Sequence, residues 1–582
     1  MSLLNSASLC VTPNGYKEGT LYSVIPNTTL GDMTVVRATT ATRVNSAGLI
    51  ELVPYNLVTY SEQFNNADWT KGNGTITANA TTSPDGTANA DKFAEDSSTD
   101  AHYFGNDTAS ATSGQAVTFT IFAKASERSW IALRLYSGAS SIFGWYNIGS
   151  GTLGTIGAGG IGAIDNAENG WYRCSLTITM ASNSVCLPYV FSSTGNGTIT
   201  FAGTSGSGFF AWGAQLNAGS TAKDYLRTET RLNIPRLDYS NGTCPSILVE
   251  PQRSNLMTYS EQLDNAAWTA TAITVTANAT TSPDGTTNAD KLIPTNVSAF
   301  HNVYNYAAVL SGNYSFSVFV KKGGYNFVSL QDQFSGVFNS CFDLVNGTVT
   351  TFVGSSNIKS YGNDWFLCSV TGNGVGTTVI PSIVPANAIS SFPVFTGNGT
   401  DGIFAWGAQF EAGTYPTSYI PTTSAAVTRN ADFLTRAGFG NTSTSGTLFF
   451  DLYAEKIESS NGLYILQLFA GSSIGGASFA TANGLSIIGN GAAIQIFNNG
   501  YTQQVQTLTP TAGQRVKLAI RYNGTNVSSA INGTLSNVFA DTAVGVKNAL
   551  RINNGENGTQ AFNVVCFFPS YLTDSELASL TT

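Results

Sequence analysis

The chain has 582 residues, 42% hydrophobic and only 10% charged, with a formal net charge of −9, against roughly 25% charged residues in an average soluble domain. That length exceeds a single core and predicts three or four domains, and the acidic balance excludes the clustered Lys and Arg that phosphate-backbone binding requires. No run of 18 apolar residues occurs and the opening MSLLNSASLCVTPNG lacks basic and apolar signal regions, so neither a membrane span nor a secretory signal is expected.

Residues 1–50, containing VTPNGYKEGTLYSVIP, precede the first recognisable module and are predicted as a separate segment. A repeat then organises the chain. Asn56-Leu57-Val58-Thr59-Tyr60-Ser61-Glu62-Gln63 returns as Asn255-Leu256-Met257-Thr258-Tyr259-Ser260-Glu261-Gln262, and TANATTSPDGTANADK from Thr77 returns nearly unchanged from Thr276, both at an offset of 199. The offset is 197 at Lys124/Lys321, 196 at Gly151/Gly347, and 194 at Trp171/Trp365 and the two AWGAQ runs. It holds within motifs and changes between them, which places strands in the motifs and loops in the gaps.

Within the copies, Val117, Phe119, Ile121 and Ala123 alternate with polar or outward residues, and Tyr314, Phe316, Val318 and Val320 repeat the pattern. Period-two alternation predicts strands with one face in a core, and Asn-Gly, Asp-Gly and Gly-Asn-Gly supply hairpin turns. The fold class is therefore all-β: tandem β-sandwich (jelly-roll) modules over 51–225 and 255–435, joined by a connector over 226–254. Residues 436–582 form a further domain, where Leu448, Phe450 and Leu452 alternate, as do Val516, Leu518, Ile520 and Tyr522. Near the end, Thr573 followed by Glu576 is a capping signal for one short helix.

Candidate chemistry is sparse. The seven cysteines are spread singly, without a CxxC pair, which speaks against a zinc site or disulfide framework and for buried free thiols. The only two histidines, His102 and His301, share the 199 offset. A histidine hydrogen-bonded inside the fold is preferred over a ligand contact at the sandwich edge. The paired tryptophans Trp69/Trp268, Trp171/Trp365 and Trp212/Trp406 read as core. Trp145 aligns with Cys341, which makes it a candidate for a contact specific to the first copy. Phe122 and Phe319 lie on the strand face opposite the core and face a second layer, a neighbouring subunit or a ligand. The candidate ligand-binding set is thus His102, His301, Trp145, Phe122 and Phe319. Asp85/Asp284 and Asp91/Asp290 read as a tight turn and a surface pair. Catalysis is not expected, because acidic residues stand singly in turns and both histidines occupy duplicate positions.

Together, NLVTYSEQF…W, SPDGTANADK, WYRCSLT and AWGAQLNAG resemble the carbohydrate-binding-like jelly-roll modules of bacteriophage structural proteins. VTPNGYKEGTLYSVIP is similar to the start of such proteins in crAss-like and other phages of Bacteroidota, and LVEPQRSNL to their connectors. KLAIRYNGTNVSSAINGT followed by YLTDSELASL resembles the end of a concanavalin A/laminin-G-like lectin domain. The resemblance implies a head or tail fibre, assembled in the bacterial cytoplasm and displayed on the virion surface. It implies docking to other virion proteins through residues 1–50, a homo-oligomer (a trimer), and adsorption to host surface glycans. A purely structural capsid or tail decoration protein is the alternative, and a glycan depolymerase a lesser one. No cofactor is implied; modules of this broad class often carry structural calcium, for which no ligand loop is seen here.

Overall fold

The computed structural model describes all residues except 1–5, 54–55, 112, 306–308, 334–335, 440, 458–462, 470–483, 491–492, 499–502, 512, 542–545 and 553–557. The chain divides into two compact units, Val53–Leu232, and Met1–Leu52 together with Asn233–Thr582. The fold is all-β, with tandem β-sandwich modules and a C-terminal β-sandwich.

The smaller unit is the first copy. One six-stranded sheet runs in the order Thr152–Ile156, Ser141–Asn147, Trp130–Tyr136, Tyr189–Ser193, Tyr103–Asn106, Trp69–Gly72. The other runs Gly160–Asn166, Trp171–Thr179, Ala116–Ala125, Gly208–Ala218, Ala90–Glu95, Gly74–Thr81. The alternation expected from sequence is what joins them: Val117, Phe119, Ile121 and Ala123 are fully buried against Phe104, Ile131, Leu133 and Val190 of the facing sheet. The second copy, in the larger unit, repeats both sheets strand for strand, with Phe316, Val318 and Val320 equally buried.

The repeated motifs staple this fold. Asn56 donates from Nδ2 to the carbonyls of Ala214 and Leu226 and accepts from Leu216 N–H; Asn255 does the same with Ala408, Ile420 and Phe410. In AWGAQ, Gly213 and Gly407 take positive φ (61° and 66°) at a bulge in the pairing with Ala116–Ala125 and Val309–Gly323. A Cβ there would stand 3.1 Å from the ring of Phe122 or Phe319. Asp85 and Asp284 close the expected turns, accepting from Thr87 and Thr286. Asp91 and Asp290 are not a surface pair: both are about 1% exposed and accept two backbone N–H groups each, from Phe64 and Asn79 and from Leu263 and Asn278. The loops they hold need those acceptors, because buried amides left unpaired are costly.

In the C-terminal sandwich, Gly446–Ile457 pairs with Gln514–Tyr522 and Gly558–Phe568 in one layer, while Phe433–Ala437, Ala549–Ile552, Leu463–Phe469, Gly484–Asn490, Ala493–Asn498 and Gln503–Leu508 form the other. The helix Asp574–Thr581 has the predicted capping box, with Thr573 and Glu576 bonded reciprocally.

Residues 1–50 do not stand apart. Leu9–Lys17 pairs with Gly558–Phe568, and Met33–Val36 pairs with Phe433–Ala437, so this segment spans the two layers of the C-terminal sandwich. The connector is not a free linker either: Arg236–Asp238 and Ser246–Val249 form a hairpin that joins the same sheet beside Gly558–Phe568. Alternation in these segments is short, and the pairings that anchor them to the sandwich reach partners hundreds of residues away, which leave no local signal. A buried charge cluster fixes the joint. Arg37 pairs with Asp432 at 2.7 Å, Arg236 with both Asp432 and Glu250, and Arg429 with Glu250 at 2.7 Å. All five side chains are at most 3% exposed.

Candidate functional site

The two copies are alike in their cores and differ on the outer face of one sheet. In the first copy, Tyr103, Ala132, Arg134, Phe143, Trp145, Tyr189 and Phe191 point away from the core, since their strand neighbours Phe104, Leu133, Tyr146 and Val190 fill it. Tyr189 and Phe191 lie over Ala132 as a floor, buried to 9% and 3% exposure. Tyr103, Arg134, Phe143 and Trp145 are half-buried around them. The rings form a continuous band: Tyr103 stacks on Tyr189 at 5.2 Å, Phe191 meets Phe143 at 5.6 Å, and Phe143 stacks on Trp145 at 5.7 Å.

Two glycines let the tyrosines lie down on the sheet. A Cβ on Gly72 would fall 2.3 Å from the Tyr103 ring, and one on Gly105 2.0 Å from Tyr189. The Tyr189 hydroxyl donates to Asp107 at 2.5 Å, and Thr70 donates to the other oxygen of the same carboxylate at 2.7 Å. Burial and the Asp107 carboxylate push the Tyr189 phenol up to about 12, so it remains a donor at any physiological pH. The Arg134 guanidinium sits 4.0 Å above the Tyr189 ring, a cation–π contact. Burial pulls Arg134 down from its ordinary value. The indole N–H of Trp145 is buried without a hydrogen-bond partner. Beside the band, Leu187 adopts φ 46°, a strained conformation for a bulky residue, and packs against these rings.

The strand registers give the equivalent residues of the second copy. They are Asn302, Ser329, Gln331, Asn339, Cys341, Ser382 and Val384, none of them aromatic. This face is also covered by its own chain: Asn339 Nδ2 donates to Ser391 O at 2.7 Å, and Cys341 Sγ lies 3.9 Å from Ala388 O. Cys341 is 1% exposed. The Trp145/Cys341 divergence seen in the sequence therefore belongs to an exchange of the whole face.

The other candidates lie elsewhere. His102 and His301 are fully buried, and each ring sits between two backbone carbonyls: Asn73 O and Phe201 O for His102, Ala272 O and Phe395 O for His301. No ring nitrogen is left to face a ligand, which corrects their inclusion as ligand contacts. Phe122 packs on Trp212 and Tyr225, and Phe319 on Trp406 and Tyr419. Both cover a second layer inside their own module rather than a ligand. Trp69, Trp171, Trp212, Trp268, Trp365 and Trp406 are all buried. Of the five, only Trp145 lies on the aromatic face. Sequence reading missed its partners because Tyr103, Phe143, Tyr189 and Phe191 come from three strands that the chain order separates. Comparing the copies at the outward positions was the signal that could have found them.

In the larger unit a cleft of about 300 Å³ is lined by Arg43, Asp238, Ser356, Lys359, Tyr415 and Ser418, among others. Arg43 is already paired with Glu51. Among the described residues no group of three or more His, Cys, Asp or Glu side chains could hold a metal ion.

No family model matches the sequence, and no curated protein matches it. Among solved structures the chain is similar to the N-terminal tandem CBM22 domain of a Paenibacillus barcinonensis protein, at 10% identity, TM-score 0.23, covering 62% of this chain and 98% of that one. It is similar to the LG1-3 region of the laminin α2 chain at 10% identity, TM-score 0.15, covering 79% and 94%. It is also similar to the binding domain of botulinum neurotoxin DC, solved with rat synaptotagmin II, at 12% identity and TM-score 0.21. That match covers 26% of this chain, which spans 40% of the neurotoxin domain.

Proposed function

We propose that the protein is a non-catalytic glycan-binding protein, and that its first β-sandwich holds a saccharide against Tyr103, Arg134, Phe143 and Trp145. The observation that carries this reading is the aromatic face itself, whose rings at Tyr103, Phe143, Trp145, Tyr189 and Phe191 are replaced in the sister module by Asn302, Asn339, Cys341, Ser382 and Val384 beneath its own loop. Aromatic rings present apolar faces to the C–H side of a sugar ring, while Arg134 and the Tyr103 hydroxyl supply the few polar groups that fix orientation. The low charge of the chain suits uncharged hydroxyl-rich ligands. The test is binding of the full chain to an array of bacterial capsular, lipopolysaccharide and mucin glycans, beside Trp145→Ala. Binding by the parent chain that falls at least tenfold in the variant supports the reading. No binding to any glycan, or binding unchanged by Trp145→Ala, overturns it.

The setting of that activity is proposed from the sequence resemblance: a virion appendage, trimeric, adsorbing to host surface glycans. Weak sites gain 10² to 10⁴ in avidity when several engage together, which favours an oligomer. The mass of the assembled species and its labelling on intact particles test this setting, and a monomer absent from particles would refute it. Because Leu9–Lys17 and Met33–Val36 are built into the C-terminal sandwich, attachment to a particle is tested by surface substitutions there, not by deleting the segment.

A further inference from the structure

Strand Leu9–Lys17 runs antiparallel to Gly558–Phe568, and the register sets Cys10 directly opposite Cys566. Residues opposed in this way have Cα atoms about 4.5–5.5 Å apart, within the span of a disulfide. The two Sγ atoms are in direct contact. Both are buried, Cys566 fully and Cys10 at 6% exposure, in a small apolar cluster with Ala7, Phe449, Phe568 and Leu572.

We propose that Cys10 and Cys566 are joined as a disulfide when the folded protein meets a small-molecule disulfide such as oxidised glutathione. Cys10 is the more exposed of the two, and its hydrogen bond with Cys566 holds its thiol below the ordinary value, whereas that contact and burial raise Cys566. Cys10 therefore reacts first. Its thiolate attacks one sulfur of the small disulfide, forming a mixed disulfide and releasing one small thiolate. Cys566 then gives up its proton, attacks the Cys10 sulfur and expels the second. Two protein thiols and one small disulfide become one protein disulfide and two small thiols. The bond fastens the strand nearest the N-terminus to Gly558–Phe568 and locks the segment that spans the two layers of the C-terminal sandwich.

The test uses the full chain carrying Cys244→Ser, which removes the exposed thiol that would otherwise take up glutathione. After incubation with oxidised glutathione and trapping of free thiols under denaturing conditions, peptide mapping is expected to find a linked peptide containing Cys10 and Cys566. The count of free thiols falls by two, the protein loses the mass of two hydrogens, and its non-reduced band migrates faster. Adding Cys10→Ser or Cys566→Ser abolishes the linked peptide and the band shift. Full recovery of free thiols, or a link to a different cysteine, overturns the proposal. A parallel circular dichroism spectrum of each serine variant confirms that loss of the link is not loss of the fold.

Discussion

The ring of Tyr189 lies across the backbone of Gly105, its register partner in the neighbouring strand, so closely that a Cβ on the glycine would stand 2.0 Å from Cδ1. In the second copy the same register pairs Tyr304 with Ser382, so the large and small residues have changed strands. Gly105→Ala is expected to lift Tyr189 and break the aromatic band. Overpacking of this kind costs about 1–3 kcal/mol. The free energy of unfolding from urea titration should fall by that amount, and glycan binding should fall with it even where the variant remains folded.

Trp69 and Trp145 separate core from face. Trp69 is 1% exposed and meets Phe64 edge-on at 4.9 Å within the core. Trp69→Ala should destabilise the first module by about 3–5 kcal/mol, seen as an earlier thermal transition. Trp145→Ala should cost far less stability and remove binding, because its ring is half-buried on the outer band. Equal stability losses would place Trp145 in the core instead.

The buried charge cluster predicts an expensive single break. Arg236 serves both Asp432 and Glu250, so Arg236→Met leaves two carboxylates short of a partner. Removing one member of a buried ion network costs about 3–5 kcal/mol, and chemical denaturation of the larger unit should show that loss.

Two buried carboxyls of the larger unit give opposite pH dependences. Arg429 and Arg236 overcome burial and hold Glu250 down to about 2. Its stabilising contribution is present above its ordinary value of 4.5 and is lost as pH falls toward 2. Burial raises Asp290 from 3.8 to about 6 despite its two backbone donors. Its contribution is therefore complete below 3.8 and is lost as pH rises through 6. Denaturation midpoints measured across pH should decline below about pH 4 as Glu250 takes up its proton, and the loss of stability that Asp290 contributes as pH rises from about 4 to 6 should disappear in Asp290→Asn.

The C-terminal helix rests on its cap. Thr573→Ala removes the hydroxyl that accepts from Glu576 N–H and should cost about 1 kcal/mol, read as faster amide exchange over Asp574–Thr581.

Much of the fold was written in local pattern. Alternation at Val117–Ala123 and the AWGAQ and SPDG runs marked strands and turns, because a strand's two faces and a turn's backbone are decided by near neighbours. The helix followed from Thr573 and Glu576 alone. Pairings that join distant segments could not be read this way: Leu9–Lys17 carries no mark of its partner Gly558–Phe568, and Arg236 none of Asp432. The binding face was half visible. Trp145 stood out against Cys341, but nothing in the local sequence marks Tyr103 and Tyr189, whose rings are placed by the glycines beneath them, Gly72 and Gly105. The repeated histidines have the internal hydrogen-bonding role that the sequence favoured, rather than the ligand contact for which they were also candidates.

The pairing of Leu9–Lys17 with Gly558–Phe568 also orders events at the ribosome. Cys10 and Cys566 are separated by 556 positions, so at about 5–20 residues per second the early strand waits roughly half a minute to two minutes for its partner. Both jelly-roll modules emerge and can close during that interval, while the apolar Leu9, Val11 and Leu21 remain without the core that later buries them. An unpaired strand held open this long presents an edge and apolar side chains that are prone to aggregation. Slowing translation would lengthen its exposure without altering a single native contact.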